Sequence, residues 1–198
     1  MTVVPGWRGT VQTMGAKRYV ALLRGINVGG RNSVAMAELR AAFEVEGYDA
    51  VSTYIQSGNV LFESDAPSDT LEDELETALE RHLLLPLVVV VRSHRQLRNI
   101  VDKAPNGFGG APDIHHSDVI FLKAPLSSRQ AMRVVELREG VDQAWSGTGV
   151  LSFARVCARR RESRLSRIVG TPEYQQMTIR SWATTTKLLG LLDARRVG

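Results

Sequence analysis

Arg24, Asn27, Gly29, Gly30, Gln56, Ser57, Asn59, Arg180 and Lys187 are the residues whose types and spacing suggest chemistry. They offer guanidinium, ammonium, amide and hydroxyl groups together with glycine backbone, and no carboxylate, imidazole or thiol. None of these side chains exchanges a proton near neutral pH, so the set suits recognition better than proton transfer. Gly25-Ile26-Asn27-Val28-Gly29-Gly30-Arg31-Asn32 follows an apolar run and precedes a helical pattern. In such a setting backbone N–H groups can hold an anion. The spacing nearly spells the phosphate loop G-x-x-x-x-G-K-[ST], but Arg31 stands in place of the lysine and Asn32 in place of the hydroxyl that holds magnesium. Nucleotide hydrolysis is therefore not expected. The bland alternatives are glycines that serve only a tight crossing, and a Gln56 and Asn59 that only pin a turn.

The elements that must position these residues follow from periodicity. Tyr19 to Leu23 reads as a strand. Met36, Leu39 and Phe43 mark a helix with Ser33 as its cap and Gly47 as its stop. Ser57-Gly58 reads as a two-residue hairpin turn, which sets Gln56 opposite Asn59, Ile55 opposite Val60 and Thr53 opposite Phe62. Pro67-Ser68 opens a helix with Leu71, Leu75 and Leu79 on one stripe, and Leu87 to Val91 is a strand. Ser93 and Gln96 form a capping box at the start of a short helix. Pro105 to Pro112 is a Gly/Pro-rich linker.

Beyond the linker the order recurs. Val119 to Leu122 is a strand, Ser127 to Glu139 a helix, and Val141 to Trp145 a strand that turns at Gly147-Thr148-Gly149. Val150 to Ala154 returns, Arg160 to Val169 is a helix, and Met177 to Arg180 is the last strand, followed by a helix to about Ala194. The expected class is α+β: two tandem ferredoxin-like (βαββαβ) plaits with an extra linking helix and a C-terminal helix. The division is a loose tail over 1–16, a first unit over 17–92, a linking helix and linker over 93–117, and a second unit with the C-terminal helix over 118–198. Met14 is a second possible start.

At 198 residues, 43% hydrophobic and 23% charged, the composition is that of an ordinary globular protein. No apolar run is long enough to span a bilayer, so no membrane is expected. A single cysteine, Cys157, allows no internal disulfide, and a cytoplasmic home follows. Residues 1–92 hold 8 Lys and Arg against 12 Asp and Glu, while residues 93–198 hold 17 against 9. The basic half, above all Arg155 to Arg167, could meet a polyanion or simply be a solvated face. Asp113, His115, His116 and Asp118 are not expected to hold a metal, because neighbouring histidines on a strand point to opposite faces. No cofactor is expected.

Three stretches, LLRGINVGGRN, TYIQSGNVLFES and MTIRSWATTTKLLGLL, give the chain a resemblance to a bacterial family catalogued as domain of unknown function sixteen ninety-seven, over about Tyr19 to Leu192. Arg24, Gly25, Asn27, Gly29, Gly30, Gln56, Ser57, Gly58 and Asn59 match its hallmark positions, as do Arg180, Trp182, Thr184 and Lys187. Ser181 and Ala183 stand where asparagine is common, and Ala35 where proline is. The resemblance implies two ferredoxin-like units and no activity. The leading expectation is a protein that binds a small phosphorylated or nucleotide-like anion. The alternatives are nucleic-acid binding through the basic half, an enzyme drawing on Asp118 or Glu63, and an interaction module without a small ligand.

Overall fold

Unbroken apolar runs such as Val20–Leu23 and Val89–Val91 suit strands covered on both faces, and both are fully buried. The computed structural model describes residues 16–27 and 33–195. Residues 1–15 of the expected tail, and residues 28–32 with Gly29 and Gly30, lie outside the described residues. The first half folds as β1 (Lys17–Leu23), α1 (Met36–Val45), β2 (Asp49–Tyr54), β3 (Asn59–Ser64), α2 (Ser68–Leu83) and β4 (Val89–Ser93). After α3 (His94–Asp102) come β5 (His115–Leu122), α4 (Ser128–Val134), β6 (Asp142–Gly147), β7 (Val150–Val156), three short 3-10 turns, β8 (Met177–Ser181) and α5 (Trp182–Ala194). The fold is mixed α+β with two four-stranded antiparallel sheets, ordered β2-β3-β1-β4 and β6-β7-β5-β8. No helix among the described residues is long and apolar enough to cross a membrane.

Strand alternation sorts the core into three clusters. Tyr19, Ala21, Leu23, Val60, Phe62 and Val91 pack under Leu39 and Phe43 of α1 and Leu71, Leu75 and Leu79 of α2. The opposite face, with Val20, Leu22, Leu61 and Val90, joins Val119, Phe121 and Val150 of the second sheet, with Leu97 and Ile100 of α3 and Leu188, Leu189 and Leu192 of α5 packed among them. Ile120, Leu122, Leu151, Phe153 and Met177 form the third cluster with Ala131, Leu165 and Ile168. The two sheets thus share one buried middle layer.

Four local expectations change. The first hairpin pairs Tyr54 with Asn59 and Thr53 with Val60, so its turn has four residues, Ile55 to Gly58. Ile55 takes φ 49 and Gly58 φ 72 there. The two-residue slip preserves which face each strand residue occupies but moves Ile55 and Gln56 off the ladder. Helix α1 starts after Ala35, whose side chain caps nothing, rather than at Ser33. Helix α4 keeps the Ser127–Gln130 capping box but ends at Val134, because Asp142 draws the chain away by accepting from the Arg138 N–H. Arg160 to Val169 is not a helix but 3-10 turns. Asp142 also accepts the Arg164 N–H, and only Leu165 and Ile168 of that stretch are buried, too narrow a stripe to hold a regular helix.

Candidate functional site

Arg180 is the next-to-last residue of β8, paired with Val119 and followed by Ser181, whose hydroxyl caps α5 by accepting the Thr184 N–H. Arg180 is only 8% exposed, and its guanidinium reaches across to the first sheet. Nε donates to Asn59 Oδ1 at 2.6 Å; Nη1 donates to Thr178 Oγ1 at 2.9 Å and the Ile179 carbonyl at 2.8 Å. Nη2 donates to the carbonyls of Leu23 at 2.7 Å, Ser57 at 2.9 Å and Gly58 at 3.2 Å. Each guanidinium nitrogen therefore has an acceptor, and no acceptor is a carboxylate. Burial pushes its pKa down to about 10, which still leaves it charged at neutral pH.

The first half presents those acceptors through a tightly held turn. A Cβ on Gly58 would lie 2.9 Å from side-chain atoms of Ile26 and Leu23, and its φ of 72 favours glycine in any case. Asn59 is fully buried and donates to the Tyr54 carbonyl at 3.1 Å and to Ser57 Oγ at 2.9 Å. Asn27, at φ 54, accepts the Val34 N–H at 2.8 Å and donates to the carbonyls of Val34 and Gln56, both at 3.0 Å. It closes the loop between residues 27 and 34 and ties that loop to the hairpin turn. Arg24 spans the two halves in the other direction, donating to Gln175 Oε1 at 2.8 Å with its guanidinium 4.5 Å above the Tyr174 ring.

Arg24, Asn27, Gln56, Ser57, Asn59 and Arg180 are thus brought together from three distant stretches. Arg180, expected among the ligand-binding residues, has its N–H groups engaged by backbone carbonyls, Thr178 and Asn59. Gln56 contributes its carbonyl to this network while its residue is exposed. Lys187 is exposed on α5, and its side chain has no hydrogen bond among the described residues. Asp118 is engaged by Arg155 at 3.2 Å and His116 at 3.0 Å. Glu63 sits opposite Arg18, four residues along β3 from Asn59. Neither carboxylate stands ready as an acid or base at this junction.

Much of the basic stretch is paired within its own half. Arg155 meets Asp118, Arg159 meets Glu162, and Arg164 and Arg167 meet Glu136. No group of three or more His, Cys, Asp or Glu able to hold a metal occurs among the described residues.

Sequence reasoning missed Arg92 and Glu72. Buried Arg92 donates through Nη1 to Glu72 Oε1 at 3.1 Å and the Val91 carbonyl at 2.7 Å, and through Nη2 to the carbonyls of Leu122 at 2.5 Å and Gly149 at 3.2 Å. Burial raises the pKa of Glu72, opposed by the Val91 N–H and Arg92, and burial lowers that of Arg92. The pair borders a cleft of about 310 Å³ that also touches Ser68, Asp69, Gln96, Asn99 and Thr148. A signal was present: in both Val91-Arg92-Ser93 and Ile179-Arg180-Ser181 the arginine is next to last in its strand and the serine that ends the strand caps the next helix.

The chain matches the model of the family described as Protein of unknown function (DUF1697) over residues 16–151. It is also similar in structure to the conserved bacterial protein SP0830 from Streptococcus pneumoniae, with 27% sequence identity, a TM-score of 0.77, and coverage of 89% of this chain and 99% of that one. No curated protein matches it in sequence.

Proposed function

The chain belongs to that DUF1697 family, whose description names no activity, and from this premise we propose that it binds a small phosphorylated or nucleotide-like anion where its two sheets meet. The reading includes two tandem ferredoxin-like plaits related by internal duplication. It is supported by the shared strand order and by paired contacts: Leu23 N–H to Gly58 O matches Leu122 N–H to Gly149 O, and Arg24 N–H to Val88 O matches Lys123 N–H to Gln176 O. A cytoplasmic setting, consistent with a single cysteine, is part of the same reading.

The observation that carries the proposal is a difference in charge between the two equivalent junctions. Arg92 has the Glu72 carboxylate, whereas Arg180 has only neutral acceptors. Asn99, the sixth residue after the cap of α3, lines the cleft beside Arg92; the sixth residue after the cap of α5 is Lys187. Where one junction has Asp69 and Glu72 beside its arginine, the other has Arg180 and the neighbouring Arg24, with Lys187 at the matching position on its helix. Uncompensated positive charge behind a surface of amides and backbone favours an anion. In this arrangement Arg24, Lys187, the Gln56 amide and the backbone at Gly25–Asn27 make the contacts. Arg180 acts from behind through its field.

Thermal unfolding with inorganic phosphate and pyrophosphate tests this. A saturable rise in Tm that is lost in both Arg24→Ala and Lys187→Ala supports the proposal. No rise with either, or the same rise in both variants, removes it.

A further inference from the structure

We propose that the cleft between α3 and the β6–β7 hairpin is a second binding site, for a small planar aromatic ring that carries an anionic group. The cleft encloses about 440 Å³, within the range of small-molecule sites, and is lined on one side by Asn99, Ile100, Lys103 and Pro105 and on the other by Trp145, Ser152 and the turn between them. Its chemistry is separate from the Arg24–Lys187 junction.

Three observations point to a ligand. Trp145 is left 36% exposed on the edge strand β6. The linker contacts its indole through Phe108. Phe108 stands edge-on to both Trp145, at 6.0 Å, and Trp182, at 5.1 Å. Gly109 lets that loop close, since a Cβ there would lie 1.9 Å from Trp182. Second, Ser152 is only 8% exposed as a residue, yet its hydroxyl makes no hydrogen bond among the described residues and is not sealed off from solvent, so it is available to a molecule in the cleft it lines. Third, the side chains of Asn99, Lys103, Ser146 and Thr148 around the rim make no hydrogen bond among the described residues.

The types of these groups set the class of ligand. Trp145 with Ile100 and Val150 offers apolar and π surface to a flat ring. Lys103 is the charged group of the lining, so the ring's substituent is an anion. Ser152 and Asn99 supply hydrogen bonds to polar atoms on the ring.

The sequence contains Trp7, Trp145 and Trp182, so fluorine NMR of the full chain labelled with 5-fluorotryptophan resolves the site, with Trp145→Phe assigning the signal. AMP and benzoate are expected to shift the Trp145 resonance saturably. Adenosine should need roughly tenfold more, and inorganic phosphate should leave the signal in place. Lys103→Met should weaken both aromatic anions roughly tenfold, while Arg24→Ala should change neither. A Trp145 signal unmoved by AMP and benzoate at millimolar concentration overturns the site. Equal responses to adenosine and AMP, or full affinity in Lys103→Met, overturn the anionic class. Loss of the response in Arg24→Ala also overturns it, by assigning the signal to the other junction.

Discussion

Arg92 and Arg180 cross the boundary between the sheets in opposite directions and end on matching atoms. Nη2 of Arg92 meets the carbonyls of Leu122 and Gly149; Nη2 of Arg180 meets those of Leu23 and Gly58. In both, Nη1 donates to the carbonyl of the preceding residue, Val91 or Ile179. The guanidinium fork suits this work because one planar group can satisfy several carbonyls at once. The two differ in that only Arg92 has a carboxylate, Glu72.

That difference predicts unequal costs of removal. Arg180→Met leaves buried carbonyls and Asn59 Oδ1 without donors but strands no charge, and should cost about 3 kcal/mol. Arg92→Met strands Glu72 as well, and at neutral pH should cost about 3 to 5 kcal/mol. Adding Glu72→Gln to Arg92→Met should recover part of the loss. Urea unfolding of the four proteins checks the order; an Arg180 variant that costs more than the Arg92 variant at neutral pH contradicts it.

Glu72 gives the fold a particular pH dependence. Burial raises its folded pKa above the ordinary 4.5, so the unfolded chain releases this proton first as pH rises. Its contribution to stability is therefore fully present below 4.5 and is lost as pH climbs through the raised folded value. Asp193 works the other way. Hydrogen bonds from His94 and Arg98 lower its pKa, so its contribution is lost as the solution becomes acidic. Because such terms overlap, the difference between the native chain and Glu72→Gln isolates the effect. The stability of native minus variant should decline between pH 4.5 and neutrality, as read by urea midpoints. A flat difference would mean that Glu72 titrates normally.

Legibility in the sequence depended on range. Leu71, Leu75 and Leu79 and the Ser93–Gln96 box are local patterns, and the structure has them where expected. The hairpin register was misread because Asn59 fixes a wider turn by bonding the Tyr54 carbonyl, and no short-range rule about Ser-Gly contains that bond. The basic stretch before β8 looked helical, but Asp142, from another strand, accepts its backbone N–H. Arg180 was recognisable as unusual, yet its role as a link depends on Leu23 and Gly58, far away in the chain. In sequence Glu72 is one of several acids along α2, and only the partner strand reveals it as buried.

Gly109→Ala should be among the most damaging single changes outside the strands. The added methyl would lie 1.9 Å from Trp182 Cδ1 and 2.4 Å from Nε1, and the residue's φ of 74 is costly for alanine. The indole cannot retreat, since Phe108 packs against it. The expected loss is about 3 kcal/mol, with a changed near-ultraviolet circular dichroism from the displaced tryptophan. Gly107→Ala, at φ 78 but with open space around it, should cost about 1 kcal/mol. Equal losses at the two positions would show that backbone conformation, and not the contact with Trp182, sets the cost.

Asn59→Asp separates the field of Arg180 from direct contact with a ligand. The substitution replaces the amide whose oxygen accepts from Arg180 Nε at 2.6 Å with a carboxylate, giving the buried guanidinium the counter-charge that Arg92 already has. It also removes the donors to the Tyr54 carbonyl and Ser57 Oγ. Those losses, of about 2 kcal/mol, are partly offset by the new charge pair, so a net fall of about 1 kcal/mol in stability is expected. The larger effect should fall on binding. With the positive charge neutralised behind the surface, phosphate and pyrophosphate should bind roughly tenfold more weakly, although Arg24 and Lys187 are untouched. Calorimetric titration of the two proteins, each first shown to be folded, decides the matter. Unchanged affinity would mean that the field of Arg180 does not reach the ligand and that this arginine serves only to hold the sheets together.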